Sequence, residues 1–474
     1  MIRNRSQPMT MIPQETPYDN ETSSSDIFDL TPRTEEPLAQ DDETHPSPAK
    51  ESHEGDQSKP QQPRIKGDRV LWVLYFAFLA TSILFIYSAT STLAYRGESL
   101  YAPFTGHLKH VIFSVVVAWG CSRLSKKWLL PFGAGLFLLA LLAVVFTPFI
   151  GTETNEAKRT LLGFQWSELF KPAVIMLAAI VLPVRDQSKV NQRFYIFCAI
   201  AGVGLLFVAK ESLSMGIIFT LFILFIGFVQ MGLSKSLLLI SGIGIGIITL
   251  LVAGLLLLPD SVVMQSSSTA RWKGRIEDFA IKADSSKFVI NEDNFQEQHA
   301  RIAIARSNGT GVFPGNSVER DILPEAYSDF IYAIIIEETG LIGMLWVPLL
   351  YILLFFKLSR WATRAHLSSQ RIILLGVGLM YTTQAIIHMY VVAGISPNTG
   401  QTLPLISRGG SSLLATSIAI GLCIAVTRHI REEEYRQQLA RESVATTTAT
   451  EETSVAHPEE VSAPHSEEQS EVAL

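Results

Sequence analysis

The chain has 474 residues, 48% of them apolar, with 38 Lys and Arg against 44 Asp and Glu for a net charge of −6. Mean hydropathy is positive at +0.28 although both ends are strongly polar, so the charge flanks a very apolar middle and points to a polytopic membrane protein, with nothing favouring nucleic acid. The three cysteines, Cys121, Cys198 and Cys423, sit in or beside apolar runs and form no CxxC pair, which argues against a disulfide framework and against a zinc site.

Residues 1–68 are rich in Ser, Pro, Gln, Asp and Glu without apolar periodicity. Such a segment buries too little surface to offset its ordering entropy, and it is expected to be a disordered cytoplasmic tail. It lacks the basic-then-apolar layout of a signal peptide, so the first membrane helix is expected to stay as an uncleaved anchor. Residues 69–430 then read as ten apolar spans, near 70–90, 108–124, 129–149, 168–184, 194–210, 213–231, 235–258, 330–356, 371–395 and 404–427. Only Lys210, Glu211 and Ser212 separate the fifth span from the sixth. Residues 431–474 form a second polar, acidic tail, in which EEEYRQQLARES extends a helix only briefly.

Lys and Arg in the short loops set the orientation. One set of connections carries Arg64, Lys66 and Arg69; Arg123, Lys126 and Lys127; Arg185, Lys189 and Arg193; Lys357, Arg360, Arg364 and Arg371; Arg428 and Arg431. Both termini are therefore expected in the cytoplasm, with the large loop 259–328 outside. In that loop, Asn294 to Ala305 has the spacing of a short amphipathic helix at the membrane surface. Gly309, Gly311 and Gly315 allow a tight turn whose bare backbone could approach a phosphate or sugar.

Three polar clusters fall on the outer side. Between spans three and four, Lys158 and Arg159 precede a helix in which Glu168 and Lys171, three residues apart, share a face and can pair. The second cluster, LPEAYSDFIYAIIIEETGLIG from Leu323 to Gly343, puts Asp329 at the mouth of span eight, with Glu325 before it and the pair Glu337 and Glu338 inside the span. A charge within such a span costs at least ~2.5 kcal/mol, so these carboxylates are functional suspects or satisfied structural groups. On one continuous helix Glu337 would lie roughly 12 Å deeper than Asp329. The third cluster, PNTGQTLPLISRGGSSLL from Pro397 to Leu414, offers Ser407, Arg408, Ser411 and paired glycines as hydroxyl, cationic and backbone donors. Its Pro404 and Gly409-Gly410 mark irregular backbone, which membrane depth tolerates only where it lines protein or a cavity.

Together these clusters resemble three signatures of the SEDS family (shape, elongation, division and sporulation proteins). TNEAKR with FQWSELFK resembles NGAxRW…FQPSELAK; LPEAYSDFIYAIIIEETGLIG resembles LPEAHTDFIFAxxxEExGxxG; PNTGQTLPLISRGGSSLL resembles PxTGxxLPFxSYGGSSLL. The resemblance covers about 69–430 with the clusters in the family's order, and Tyr-Ser-Asp and GNSVERDILPEA look more like the division member than the elongation member. It implies an all-α SEDS fold of about ten transmembrane helices and a peptidoglycan glycosyltransferase that polymerises lipid II on the outer face of the bacterial cytoplasmic membrane, at the division septum.

By the same resemblance the essential Asp falls on Asp329, the Glu–Lys pair on Glu168 and Lys171, and the basic loop residue on Arg159. Implied partners are lipid II, a class B penicillin-binding protein that crosslinks the strands, and other division proteins. The chain departs from the family at Thr160, Ser212, His388 and Arg408, the last replacing a Tyr.

The chemistry needs a base for the acceptor hydroxyl and positive charge for the departing pyrophosphate. Asp329 supplies the first, and Lys158, Arg159, Lys171 or Arg408 the second; alternatively Asp329 holds a divalent cation, Mg or Mn, on the pyrophosphate. Two rival readings are a carrier that moves the lipid precursor outward and a non-catalytic scaffold for the division machinery. Gly340 and Gly343 in span eight, and Gly376 and Gly378 in span nine, are small enough for a partner helix to approach closely or for internal packing.

Overall fold

The structure is a computed structural model. It describes residues 66–90, 101–154, 157–184, 186–232, 234–257, 259, 269–270, 272–274, 290 and 294–456, all in the compact unit Pro63–Leu474. The expected N-terminal tail up to residue 65, most of the loop 259–328 before residue 294, and the chain beyond 456 lie outside the described residues.

Helix α1 (Arg69–Ala89) begins at Asp68, whose Oδ1 accepts from the amides of Val70 at 2.7 Å and Leu71 at 3.3 Å and so satisfies two donors that a helix start leaves free. Then follow α2 (Ala102–Ser122), α3 (Lys126–Ile150), a hairpin of β1 (Thr152–Thr154) and β2 (Ala157–Thr160), and α4 (Trp166–Val181). Next come α5 (Val190–Glu211), α6 (Leu213–Met231) and α7 (Lys235–Leu257), the fifth and sixth spans parting at Ser212. The rest is α8 (Phe295–Arg306), a single turn α9 (Glu319–Ile322), α10 (Ile331–Thr339), α11 (Leu341–Arg364), α12 (Ser368–Val392) and α13 (Gly410–Ala456). Among the described residues the regular structure is helical but for the hairpin, which was expected as loop; its antiparallel ladder pairs Glu153 with Lys158.

Seven helices, α1, α3, α5, α6, α11, α12 and α13, are long and apolar enough among the described residues to cross a membrane. The other expected spans are α2, α4 and α7. Helix α2 carries His107, Lys109 and His110, which lower its hydropathy. Helix α4 has only 16 residues, about 24 Å against a hydrocarbon core of about 30 Å, yet it is buried along nearly its whole length between α3, α5, α12 and α13. It is the axial helix of the bundle, so protein rather than lipid meets its ends.

Helices α1 and α11 run antiparallel. Asp68 at the start of α1 pairs with Lys357 at 2.9 Å and accepts from Trp361 Nε1 at 2.6 Å, and midway Trp346 donates to Thr81 at 3.1 Å; at the far end of α1, Ser88 donates to Glu338 of α10. Phe78 packs on Tyr351 with ring centroids 4.8 Å apart, in a core that continues through α4, α12 and α13.

One continuous helix over 330–356 was expected. The chain instead reverses at Gly340 (φ 63°, ψ −138°), a conformation open to glycine, and splits the span into α10 and α11. The backbone of Gly309–Gly311 fills the reversal: Leu341 N donates to Gly309 O and Val312 N to Glu337 O, both at 2.9 Å. The depth order inverts as a result. Glu338 meets Ser88 at the end of α1, whereas Ser407, hydrogen-bonded to Ser328, follows Ile406, whose carbonyl accepts from Ser82. Ser82 precedes Ser88 by six residues, so Asp329 is recessed by about 9 Å relative to Glu338.

The glycine loop is also occupied by its own chain. Ser317 donates to Glu337, Val318 N donates to Glu337 Oε1 at 3.2 Å, and Gly315 N donates to Glu338 Oε1 at 3.1 Å. Gly309 and Gly311 therefore dock the loop at the α10–α11 reversal rather than stand open to a phosphate or sugar, and the Glu pair is the loop's structural clamp. Helix α8 forms where expected but turns Glu297, Gln298, Ala300 and Ala303 inward against protein; Glu297 accepts from Asn398 N at 3.2 Å and Arg301 donates to Gly394 O at 2.8 Å. The last helix continues to Ala456, so it runs past the brief EEEYRQQLARES extension expected of it and takes in residues 444–456, which were expected to be loose. Cβ atoms on Gly340, Gly343, Gly376 and Gly378 would all meet neighbours within the bundle. Internal packing accounts for all four.

Candidate active site

Asp329 is half-buried in the turn before α10. Its amide donates to Glu325 O at 3.1 Å, and the Ser328 hydroxyl donates to its Oδ1 at 2.9 Å. The loop before α13 clasps this turn at two successive residues: Ser407 Oγ donates to Ser328 O at 2.6 Å, and Arg408 N donates to Tyr327 O at 2.9 Å. The Arg408 guanidinium lies 5.1 Å over the Tyr327 ring. Burial, and next the Asp329 carboxylate, push the Glu325 carboxyl above its usual range, while Ser328 and Arg408 pull it down. Glu325, Asp329 and Arg408 thus form one electrostatic group, as the two sequence clusters suggested.

The clasping loop is unusually shaped. Leu405 sits at φ 66°, a left-handed conformation that costs a side-chain-bearing residue about 1–2 kcal/mol. Three bonds hold it there: Ile406 N and Ser407 N donate to Leu403 O at 3.1 and 2.9 Å, and Leu403 N donates to Ser407 Oγ at 2.8 Å. Ser407 therefore both braces the strained turn and ties it to the Asp329 segment.

A second polar group runs through the bundle axis. Lys171, with no exposed side chain, donates to Glu168 Oε2 and to Gln384 Oε1, each at 2.7 Å, and Gln384 Nε2 donates to Thr402 O at 2.8 Å. One turn along α12, His388 Nδ1 donates to Gln401 O at 2.8 Å, and Gln401 Nε2 reaches Ser212 Oγ at 3.2 Å. At the start of α4, Gln165 N donates to Ser411 Oγ at 3.0 Å, while Ser167 Oγ and Gln165 Nε2 donate to Glu211 at 3.0 and 3.2 Å. The loop over residues 401–408 links the two groups, since it accepts from Gln384 and His388 at one end and clasps the Asp329 turn at the other.

The structure therefore gathers Asp329, Glu325, Ser407 and Arg408 directly, and joins Glu168, Lys171 and Ser411 to them through residues 401–408. Lys158 and Arg159 lie on β2, which contacts α3 and α5; their side chains are outside the described residues. Sequence reasoning gave no role to Gln384, Gln401 or Glu211. Gln384 and His388, four apart on an otherwise apolar helix, were the signal for the α12 contribution. Among the described residues no three His, Cys, Asp or Glu side chains gather into a metal site. A divalent cation held by Asp329 would draw most of its ligands from water or phosphate oxygens.

Residues 68–432 match the family described as cell cycle protein, FtsW/RodA/SpoVE. A probable peptidoglycan glycosyltransferase FtsW of Coxiella burnetii is 31% identical over 377 residues, covering 75% of this chain and 95% of that protein. One from Nitrosomonas europaea is 30% identical over 387 residues, covering 78% and 94%. Among solved structures, a chain of a peptidoglycan synthase complex, solved to explain how polymerization and crosslinking are coordinated, superposes with a TM-score of 0.60 at 22% identity, covering 77% of this chain and 98% of that one. A mutant of the rod shape determining protein RodA of Thermus thermophilus gives 0.51 at 21% identity, covering 76% and 97%.

Proposed function

Because the chain belongs to the FtsW/RodA/SpoVE family of cell cycle proteins, we propose that it is a peptidoglycan glycosyltransferase that polymerises lipid II for septal wall synthesis. The observation that carries this reading is the recessed Asp329, clasped by Ser407 and Arg408 in an apolar bundle. A carboxylate fixed by backbone and hydroxyl bonds is poised to take a proton from an acceptor sugar hydroxyl, a role worth about 10²–10⁴ in rate.

The Lys and Arg distribution puts Asp68, Lys357 and Arg431 on the cytoplasmic side, so the Asp329 recess opens outward, where the disaccharide of a lipid-linked precursor is displayed. The axial Glu168–Lys171–Gln384 chain holds the loop that shapes the recess. Product strands would be crosslinked by a partner, for which a class B penicillin-binding protein is the matching chemistry; the resemblance to a chain of a peptidoglycan synthase complex supports that pairing. Other division proteins would bring the pair to the septum. The four glycines in α11, in α12 and at the α10–α11 reversal are taken by internal contacts, so a partner helix docks elsewhere.

The test is purified protein incubated with labelled lipid II, with and without Asp329→Asn, which keeps size and hydrogen bonding but removes the charge. Glycan polymer should form with the native chain and fall at least 100-fold in the variant, with folding and membrane insertion unchanged. Native polymer yield from the variant would sink the proposal. Co-purification with the cognate transpeptidase should raise turnover at matched concentration.

A further inference from the structure

We infer that Arg408, together with the first turn of α13, forms the subsite for the diphosphate of the lipid-linked donor. The inference rests on the polymerase reading and narrows its four candidate cations. Lys171 is fully enclosed and bonded to both Glu168 and Gln384, so its charge is already matched inside the protein.

Arg408 is different. Its backbone is fixed by the 2.9 Å bond to Tyr327 O, and its guanidinium rests half-buried over the Tyr327 ring. Among the described residues that guanidinium makes no hydrogen bond or ion pair with protein. Three arginines on α8 and α9, by contrast, are engaged: Arg301 on Gly394 O, Arg306 with Glu337, Arg320 on Ser88. A guanidinium held in place with its donors unspent matches the geometry of a phosphate oxygen pair.

The neighbouring groups complete the case. Gly409 follows Arg408, and α13 starts at Gly410, so the free amides and positive end of a long helix lie next to the guanidinium. Gly410 is packed so closely against His110 that a Cβ would come within 3.0 Å of the ring Nε2. The carboxyl that feels Arg408 is Glu325, which sits in the raised range described above; Asp329, the proton acceptor of the proposed reaction, follows it by four residues.

In the transfer step the acceptor hydroxyl oxygen bonds to the donor C1 and its proton passes to the Asp329 carboxylate. The bond from C1 to the diphosphate oxygen breaks with its electron pair going to the diphosphate, whose added negative charge falls on Arg408 and the α13 amides. Donors placed where charge develops act on kcat more than on ground-state binding.

The experiment compares native chain, Arg408→Lys, Arg408→Gln and Asp329→Asn in lipid II polymerisation and in binding of inorganic pyrophosphate. The backbone bond to Tyr327 survives substitution at 408, and an unchanged melting temperature checks that the fold does too. Arg408→Gln is expected to lose about 100-fold in kcat/KM and to weaken pyrophosphate inhibition at least 10-fold, with Arg408→Lys between. Asp329→Asn should lose turnover yet bind pyrophosphate at least as well as the native chain. Native kinetics and native pyrophosphate inhibition in Arg408→Gln would overturn the subsite while leaving the polymerase reading intact. Arg408-dependent pyrophosphate binding by a chain that makes no polymer would uphold the subsite and overturn that reading.

Discussion

The Ser407 hydroxyl donates to Ser328 O at 2.6 Å while accepting from Leu403 N at 2.8 Å, so one side chain joins the strained loop before α13 to the residue preceding Asp329. Removing it leaves a carbonyl and an amide short of a partner. Ser407→Ala should cost about 1–3 kcal/mol of stability and lower kcat roughly tenfold, with little change in KM, because the carboxylate is misplaced rather than lost. Lipid II turnover and a thermal melt on the same preparation check this, and an unchanged kcat would separate the clasp from the reaction.

Lys171 and Glu168 should behave as a unit. Lys171→Met strands a buried carboxylate and is expected to destabilise the protein by about 3–5 kcal/mol, whereas Lys171→Met with Glu168→Leu should recover much of that loss. Melting temperatures in detergent for the two singles and the double give the coupling. Additive losses would mean that the pair is not an interacting unit.

Gly340 and Gly315 both have positive φ, yet only one is crowded. A Cβ at Gly340 would lie 2.3 Å from Gly309 O, while one at Gly315 meets nothing within 4 Å. Gly340→Ala should therefore destabilise by several kcal/mol and disturb the α10 reversal, against about 1 kcal/mol for Gly315→Ala. Equal yields and equal melts for the two would contradict the backbone-to-backbone contact.

Orientation is tested by labelling single cysteines from outside the cell. A probe near Ser285 should react and one near Ser368, at the start of α12, should be protected. The reverse pattern would turn the molecule over and close the recess to an outer substrate.

Hydropathy made most spans legible, because a run of apolar residues bounded by Lys and Arg carries its own length and direction. It could not reveal that Ile331 to Phe356 doubles back, since reversal needs a single glycine and the partner for that glycine, Gly309–Gly311, lies some thirty residues earlier. The role of Glu337 and Glu338 was hidden for the same reason: a carboxylate in an apolar run looks alike whether it faces a substrate or the amides of a distant loop. Asp329, Glu325, Ser407 and Arg408 were found because each cluster kept its polar residues consecutive. Gln384 was missed because a single neutral side chain barely alters the pattern of an apolar helix, and Gln401, although inside the third cluster, was given no role there.

Arg431 donates to the carbonyls of Lys66 and Gly67 at 3.0 and 3.1 Å, beside the Asp68 cap and its partners Lys357 and Trp361. The chain therefore enters the bundle and leaves its last membrane span at practically the same place. A reporter with one half inserted beside Lys66 and the other beside Arg431 would have its halves tethered at one spot, so its reassembly would register a single copy and could not be taken as a sign of self-association.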